Sequence, residues 1–534
     1  MPAAQKNAHC HEYGHALRQN LLTRFYAIAI HIQALFPHTG PDTPVNPNPY
    51  HSIRRQPPKH RQIRLAVVCF LLLLSIPWPV PAWAGQDFQG LWCSDIHFDP
   101  FCDPAIVPEL NRRPAKEWPS ILADSPLQGR LPKAGEQTGL ALLESALQAM
   151  QTRLPRPEVI ICSGDFLAHG FNEKYAAITG EKNPAACSTF IDKAISFLVS
   201  CFTFYFPDAP VLFCLGNTDS YEGDYRVTAH SPFFKASAPL LGQAFLKTGQ
   251  DDKSFADTYR RGGYFETRLL GRKNLRVLSL NTTFFSRKAL KAGPGPAAEQ
   301  LAWLEDRIGR AARQKEKVWV LMHIPPGISV YSTLRQNPGR AVPKKPVLLL
   351  NETHLALLKQ ILTRHPDTVT AIFAGHIHRN DFRLLRTDAV PAPVVLVTAA
   401  VSPVFDNNPV FRVVKVDPAG FTIADMEEWY LDLASGKWQQ GAAWGPRPLT
   451  GQTLHRFWQD MKNSPALAGG YMAAYNGFAK PGAITRQTFP FYHAAIGELD
   501  APGYRQALKR WFLPEETPRS QPVPGVIAVP AGPD

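Results

Sequence analysis

Long apolar runs are scarce in this sequence. The stretch "LAVVCFLLLLSI" (65–76) covers twelve residues before Pro77, short of the ~20 that a membrane-spanning helix requires. Cysteine is sparse as well, eight in 534 residues, which excludes a small disulfide-stapled scaffold. No dense block of Lys and Arg interleaved with aromatics occurs, so specific nucleic-acid binding is not the expected role. No internal repeat is found. Charged residues make up 19% and hydrophobic residues 45%, the balance of an ordinary folded chain rather than a disordered one.

The formal charge of +13 is concentrated at the front. Residues 1–84 hold eight Lys and Arg against Glu12 and Asp42, which leaves +7 for the other 450 residues. That basic excess precedes the apolar run: "RRQPPKHRQIR", then "LAVVCFLLLLSI", then "PWPVPAWAG". A positive segment, an apolar segment and a small-x-small site ending at Ala84 predict a signal peptide over 54–84 within a presequence of 1–84. Export to a periplasm or the exterior is therefore expected, with membrane anchoring by an uncleaved segment as the weaker reading. Residues 1–50 carry several His without metal-ligand spacing, and a start placed too far upstream accounts for them best.

Six cysteines follow the presequence. Cys93, Cys162 and Cys214 sit on apolar strands and are expected to be buried thiols. Cys102, Cys187 and Cys201 are the better disulfide candidates.

From residue 86 short apolar strands alternate with amphipathic stretches. "EVIICSGD" and "PVLFCLGN" are continuous apolar runs ending in polar residues, the signature of strands covered on both faces. "TGLALLESALQAMQTRL" and "AAEQLAWLEDRIGRAARQ" read as helices. Beta and alpha alternate first and strands cluster late, which predicts an α/β fold: two packed sheets flanked by helices, a four-layer αββα sandwich over 85–434. Residues 435–515 read as a small C-terminal helical subdomain, rich in aromatics. Helix–core packing is the usual role of such aromatics, and membrane contact is the alternative. Residues 516–534 form a Pro-rich tail.

Polar residues recur just past the ends of the buried strands, where open sheets build sites. "SDIH" gives Asp95 and His97, "SGDFLAH" gives Asp165 and His169, and "GNTD" gives Asn217. "MHIPPG" gives His323, and "GHIH" gives His376 and His378. Asp, His and Asn offer the mixed oxygen and nitrogen donors that Zn, Mn or Fe accept. Each fragment alone is weak, but five in order, each after a strand, point to one site for two divalent ions. Asp165 suits a bridging carboxylate. Asp95, His97 and His378 complete one ion, and Asn217, His323 and His376 the other. The chemistry expected of such a pair is attack on phosphorus by a bridging hydroxide.

The order Asp-x-His, Gly-Asp, Gly-Asn, His, Gly-His-x-His resembles that of the calcineurin-like metallophosphoesterases. "SDIHFDP", "GDFLAH", "GGYFETRL", "LRVLSLNTTFFS" and "GHIHRNDF" resemble the acid sphingomyelinase-like phosphodiesterase branch, over roughly residues 88–430. The resemblance implies two zinc ions and hydrolysis of phosphodiester or phosphoanhydride bonds. It also implies a proton-donating His after Gly-Asn, where this sequence has Thr218. His169, four residues after Asp165, is then the expected acid, with Asp219 one candidate to support its proton.

"GNTD" is somewhat closer to the endopolyphosphatase-type variant, in which that His is also absent. A phosphate leaves more readily than an alkoxide, so polyphosphate or nucleotide hydrolysis is the alternative. A non-catalytic phosphate-ligand binding protein is the second alternative. Arg335, Arg340, Lys344 and Lys345 lie on an expected loop after "HIPPG" and are candidates to grip an anionic phosphoester, a lipid headgroup or polyphosphate.

Overall fold

Apolar runs without polar alternation form strands that must be covered on both faces, and two sheets packed face to face meet that demand here. The computed structural model describes residues 88–247, 252–269, 271–289, 293–385 and 392–513. The presequence, its signal peptide at 54–84 and the tail at 516–534 lie outside the described residues. Sheet one runs in the order β12 (Lys437–Gln440), β11 (Ile423–Asp432), β10 (Val410–Val416), β1 (Phe88–Cys93), β2 (Val159–Cys162), β3 (Val211–Phe213). Sheet two runs β4 (Phe265–Arg268), β5 (Leu275–Ser279), β6 (Lys317–Leu321), β7 (Val369–Ala374), β9 (Val394–Val397), β8 (Asp381–Leu384).

Aromatic side chains lock the two sheets together. Phe88 stacks on Trp319 at 5.5 Å between ring centres, Trp92 meets Phe373 edge-on at 5.1 Å, and Phe213 packs on Phe265 at 4.9 Å. The Trp319 indole, fully buried, donates to the Phe421 carbonyl at 2.8 Å. Such pairs add about 0.5–1.5 kcal/mol each beyond the area they bury.

Helices cover the outer faces. On sheet one, α1 (Leu140–Arg153) packs against α2 (Pro184–Tyr205). On sheet two, α3 (Pro294–Arg313) packs on β6 and against α4 (Glu352–Thr363). Asn351 caps α4 by accepting from the Thr353 amide at 3.0 Å, satisfying one of the free donors of the first turn. Among the described residues α2 alone is long and apolar enough to cross a membrane, but it buries eleven side chains within the fold. It is a core helix.

Residues 437–440, which the sequence reading assigns to the helical region, form the edge strand of sheet one instead. Trp438 packs on Phe411 at 5.1 Å and its indole donates to Ser145 of α1 at 3.0 Å. The helices α5 (Gly451–Met461), α6 (Pro465–Ala474), α7 (Phe489–Gly497) and α8 (Ala501–Phe512) follow. Their aromatics turn inward: Tyr471, Tyr475, Phe489 and Tyr492 are buried, and the Tyr471 hydroxyl donates to Asp381 of β8 at 2.8 Å.

The six cysteines of the described region are all free thiols. Cys187 and Cys201 share helix α2, where a rise of 1.5 Å per residue sets them about 21 Å apart, so they do not bridge each other.

Strand direction positions the site. β1, β2 and β3 are mutually parallel, as are β6 and β7. The residues just past their C-terminal ends therefore gather on one edge of the sandwich.

Candidate metal centre

Sheet one delivers Asp95, His97, Asp165 and Asn217 to this edge, and sheet two delivers His323, His376 and His378. Six of the seven are buried and His376 is partly exposed. Their donor atoms converge. His97 Nε2 lies 3.1 Å from His378 Nε2 and 3.4 Å from Asp165 Oδ2. His323 Nε2 lies 3.1 Å from Asp165 Oδ2, 3.2 Å from Asn217 Oδ1 and 3.3 Å from His376 Nδ1. His378 Nε2 lies 3.3 Å from Asp95 Oδ1. Asp165 Oδ2 thus lies between the His97 cluster and the His323 cluster, within 3.4 Å of a nitrogen of each.

The backbone is bent to achieve this. Asp95, His97, Asp165, His376 and His378 all adopt positive φ, between 45° and 74°. Left-handed backbone is uncommon for residues with a Cβ and persists where the surroundings impose it, most often at functional sites. The glycines of the Gly-Asn and Gly-His pairs serve the same geometry. A Cβ on Gly216 would lie 2.0 Å from Asp165 Oδ1, and one on Gly375 would lie 2.0 Å from Ser94 Oγ.

Outer partners fix the tautomers of two ligands. The Nδ1–H of His97 donates to the Leu167 carbonyl at 3.0 Å and that of His323 to the Ser163 carbonyl at 2.8 Å. In both rings Nε2 is left as a bare donor to a cation. The amide of His376 donates to both oxygens of Asp95 at 3.0 Å.

These residues fit divalent cations. Neutral imidazole nitrogens 3.1–3.3 Å apart repel unless a proton or cation lies between them, and that spacing is about the edge of a coordination shell with 2.0–2.1 Å bonds. Two carboxylates are buried among imidazoles without an Arg or Lys partner among the described residues. Burial pushes Asp95 toward protonation, yet His378 and His323 hold it well below the usual carboxylate range. Burial disfavours a charged His323, but Asp165 and Asp95 push its pKa up to about 9. Burial and the neighbouring His323 drive His376 down to about 3. The cluster thus draws positive charge to itself.

Thr218 answers the question raised by its sequence position. Its amide and its hydroxyl both donate to Asp165 Oδ1, at 2.9 and 3.0 Å. Thr218 thus holds one oxygen of Asp165 and leaves Oδ2 to face the two clusters.

His169 lies beside the centre, its ring stacked on that of His97 at 4.3 Å. Its Nδ1 is 2.7 Å from Asp224 Oδ2, and its Nε2 is buried with no hydrogen-bond partner. The carboxylate expected from sequence to support His169 is corrected here: Asp224 does so, not Asp219. Asp219 instead accepts from the amides of Phe166 (2.9 Å), Leu167 (3.2 Å) and Gly216 (2.8 Å), tying the loop after β2 to the loop after β3. Burial and the Asp165 charge push its pKa up to about 7. For His169, burial opposes the charged form, but Asp224 and Asp165 raise the pKa above its ordinary value.

Phe405, half exposed, packs edge-on against His378 at 4.6 Å and faces His169 at 5.6 Å. Arg335, Arg340, Lys344 and Lys345 are exposed, and their side chains form no hydrogen bond or ion pair among the described residues. Their segment is tied to the C-terminal helices, Arg505 donating to the Lys344 carbonyl at 3.2 Å. Sequence reasoning missed Asp224 and Phe405. Both lie in irregular loops, where no strand-end pattern marks them.

The model of the calcineurin-like phosphoesterase family matches residues 91–380. The chain belongs to that family. As a calcineurin-like phosphoesterase it belongs to a family of metal-dependent hydrolases. It is similar to acid sphingomyelinase-like phosphodiesterase 3b of Mus musculus, 27% identical over 70% of this chain and 76% of that one. It is also similar to cyclic GMP-AMP phosphodiesterase SMPDL3A of Rattus norvegicus, 26% identical over 57% and 69%. A dimetal phosphatase from Danio rerio aligns over 65% of this chain and 96% of that one at 14% identity, with a TM-score of 0.35.

Proposed function

We propose that the protein hydrolyses phosphodiester or phosphoanhydride bonds with His169 as its proton donor. The observation that carries this reading is the placement of the His169–Asp224 pair directly against a complete ligand set. Asp95, His97 and His378 would hold one ion, Asn217, His323 and His376 the other, with Asp165 between them. Two divalent ions, zinc in our reading, supply Lewis-acid polarisation and charge neutralisation at a phosphoryl group when bound.

The chain's own residues do the rest. Hydrolysis adds the oxygen of water to phosphorus and breaks the bond to the leaving oxygen, which needs a proton. With its Nδ1–H donated to Asp224, a protonated His169 directs Nε2–H toward the centre and can deliver that proton. Asp219 and Thr218 hold the loops and the bridging carboxylate in place, so the donor set is built before substrate arrives.

Thr218 favours a second reading within the same chemistry. With the family's other imidazole replaced by a carboxylate clamp, one acid must serve, and a phosphate leaving group demands less of it than an alkoxide. Nucleotides or polyphosphate are then better substrates than sphingomyelin. The comparison that tests this is hydrolysis of ATP and polyphosphate against sphingomyelin by the zinc-loaded protein. Turnover of the anhydrides alone supports the second reading. Efficient sphingomyelin cleavage refutes it, and no turnover of any of them refutes hydrolysis itself. Export through the signal peptide at 54–84 is part of the proposal, and an N-terminus at Gly85 in the mature protein is its check.

A further inference from the structure

Asp224 and Tyr225 are adjacent in sequence but serve opposite sides of the centre. Asp224 turns to His169, beside His97. Tyr225 turns to His376, its hydroxyl 3.5 Å from Nε2 and its ring edge-on to the imidazole at 6.0 Å. The backbone is forced to allow this: Tyr225 has φ of 59°, held by a hydrogen bond from its amide to the Asn217 carbonyl at 2.7 Å. A bulky aromatic in the left-handed region is an outlier, and here the surrounding loop imposes it.

A cation completes the arrangement. Lys288, exposed and in the segment after β5, donates from Nζ to the Tyr225 hydroxyl at 3.3 Å and lies 4.5 Å over its ring centre. Among the described residues no carboxylate pairs with this ammonium group. His376 Nδ1 faces the ligand cluster, so with a cation bound there its Nε2 would carry the hydrogen toward the phenol oxygen. The phenol oxygen then receives hydrogens from Lys288 and His376, and its own O–H has no acceptor among the described residues. The O–H and the remaining hydrogens of the ammonium are then free to meet an anion at the rim of the centre.

We propose that Tyr225 and Lys288 form an anion subsite for a second phosphate next to the scissile one. The substrate class it selects is the phosphoanhydrides, nucleoside di- and triphosphates or inorganic polyphosphate. The same ammonium repels a choline headgroup, whose quaternary nitrogen is cationic, so the pair discriminates in both directions. This inference rests on the phosphohydrolase reading above and names the substrate class for that site.

The test is calorimetric titration of the full-length protein at matched zinc occupancy with pyrophosphate and with phosphocholine. The expected result is a preference for pyrophosphate that falls about tenfold in Lys288→Ala, as loss of one charge-assisted contact implies. Lys288→Arg should restore it, and Tyr225→Phe, which removes only the hydroxyl, should lower it by a smaller factor. An equal preference in wild type and Lys288→Ala overturns the inference. Hydrolysis of ATP and bis(4-nitrophenyl) phosphate by the same preparations separates the two readings. A preference that Lys288→Ala abolishes, without any turnover in wild type, upholds the subsite and overturns the catalysis. Turnover with no preference overturns the subsite alone.

Discussion

The two sheets contribute unequally to the centre. Sheet one supplies the oxygen donors, Asp95, Asp165 and Asn217, with a single imidazole, His97. Sheet two supplies imidazoles alone, His323, His376 and His378. Sheet one therefore sets the negative charge, and sheet two sets the nitrogen ligands that close around it. Sheet one alone brings donor atoms of Asp95, His97 and Asp165 within 4.8 Å of one another, and the other two groups, His97 with His169 and His378 and Asp165 with His323 and His376, draw imidazoles from sheet two. Two buried carboxylates without partners cost several kcal/mol in desolvation, and the short distances from His323 to Asp165 and from His378 to Asp95 (3.1 and 3.3 Å) cross from one sheet to the other. The aromatic packing between sheets is what brings the halves together, so core packing and metal binding are one problem in this fold.

The hardest way to break this division of labour is to remove charge from sheet one. Asp165→Asn should lower turnover by roughly 1,000-fold or more and reduce the zinc retained after dialysis, measured by atomic absorption. A variant that keeps both metal and activity would show that Asp165 does not bridge. The next largest effect lies beside the centre. Asp224→Asn leaves His169 without its carboxylate and should lower kcat by roughly 100-fold for a substrate with an alkoxide leaving group. Substrates that release 4-nitrophenolate should lose far less, because that oxygen departs without a proton. Equal losses on both would mean that Asp224 shapes the loop rather than supporting an acid. A smaller effect is expected at the clamp. Thr218→Val keeps the amide bond to Asp165 Oδ1 and loses the hydroxyl bond, and zinc affinity should fall by about tenfold in a competition with a chelator.

Much of the centre was legible in the sequence because each ligand lies within four residues of the end of an apolar run. A strand that must be covered on both faces announces its own end, and a Gly, Asp, His or Asn placed there has few structural uses. Lys288, Tyr225, Asp224 and Phe405 carry no such mark. Their places depend on loop paths that bring together residues far apart in the chain, such as Asp224 and His169. Asp219 was the nearer acid to the Gly-Asn motif and the natural nominee to support His169. Its carboxylate is taken by three backbone amides that only the folded loops bring within reach. β12 was hidden for a different reason: "KWQQ" is short, polar at three of its four positions and at an exposed edge, where burial leaves no apolar pattern.

The smallest effect concerns the helical layer outside sheet one. On the side of sheet two, the half-buried acids Glu266 and Glu316 both pair with Arg276. Glu144 of α1 has no such partner among the described residues, and burial against α2 pushes its pKa up to about 7. A carboxyl whose folded pKa lies above its unfolded value binds its proton more tightly in the folded state. Its contribution is therefore most favourable below the unfolded pKa near 4.5 and is lost as pH rises through about 7, in line with proton linkage. The full shift corresponds to roughly 3 kcal/mol, and partial exposure to solvent reduces that to about 1–2 kcal/mol. Glu144→Gln cannot ionise, so it should match wild type in urea unfolding near pH 4.5 and exceed it by about 1–2 kcal/mol at pH 8. If the two proteins differ by the same amount at both values, the acid is not desolvated, and the charge asymmetry between the sheets stops at the metal centre.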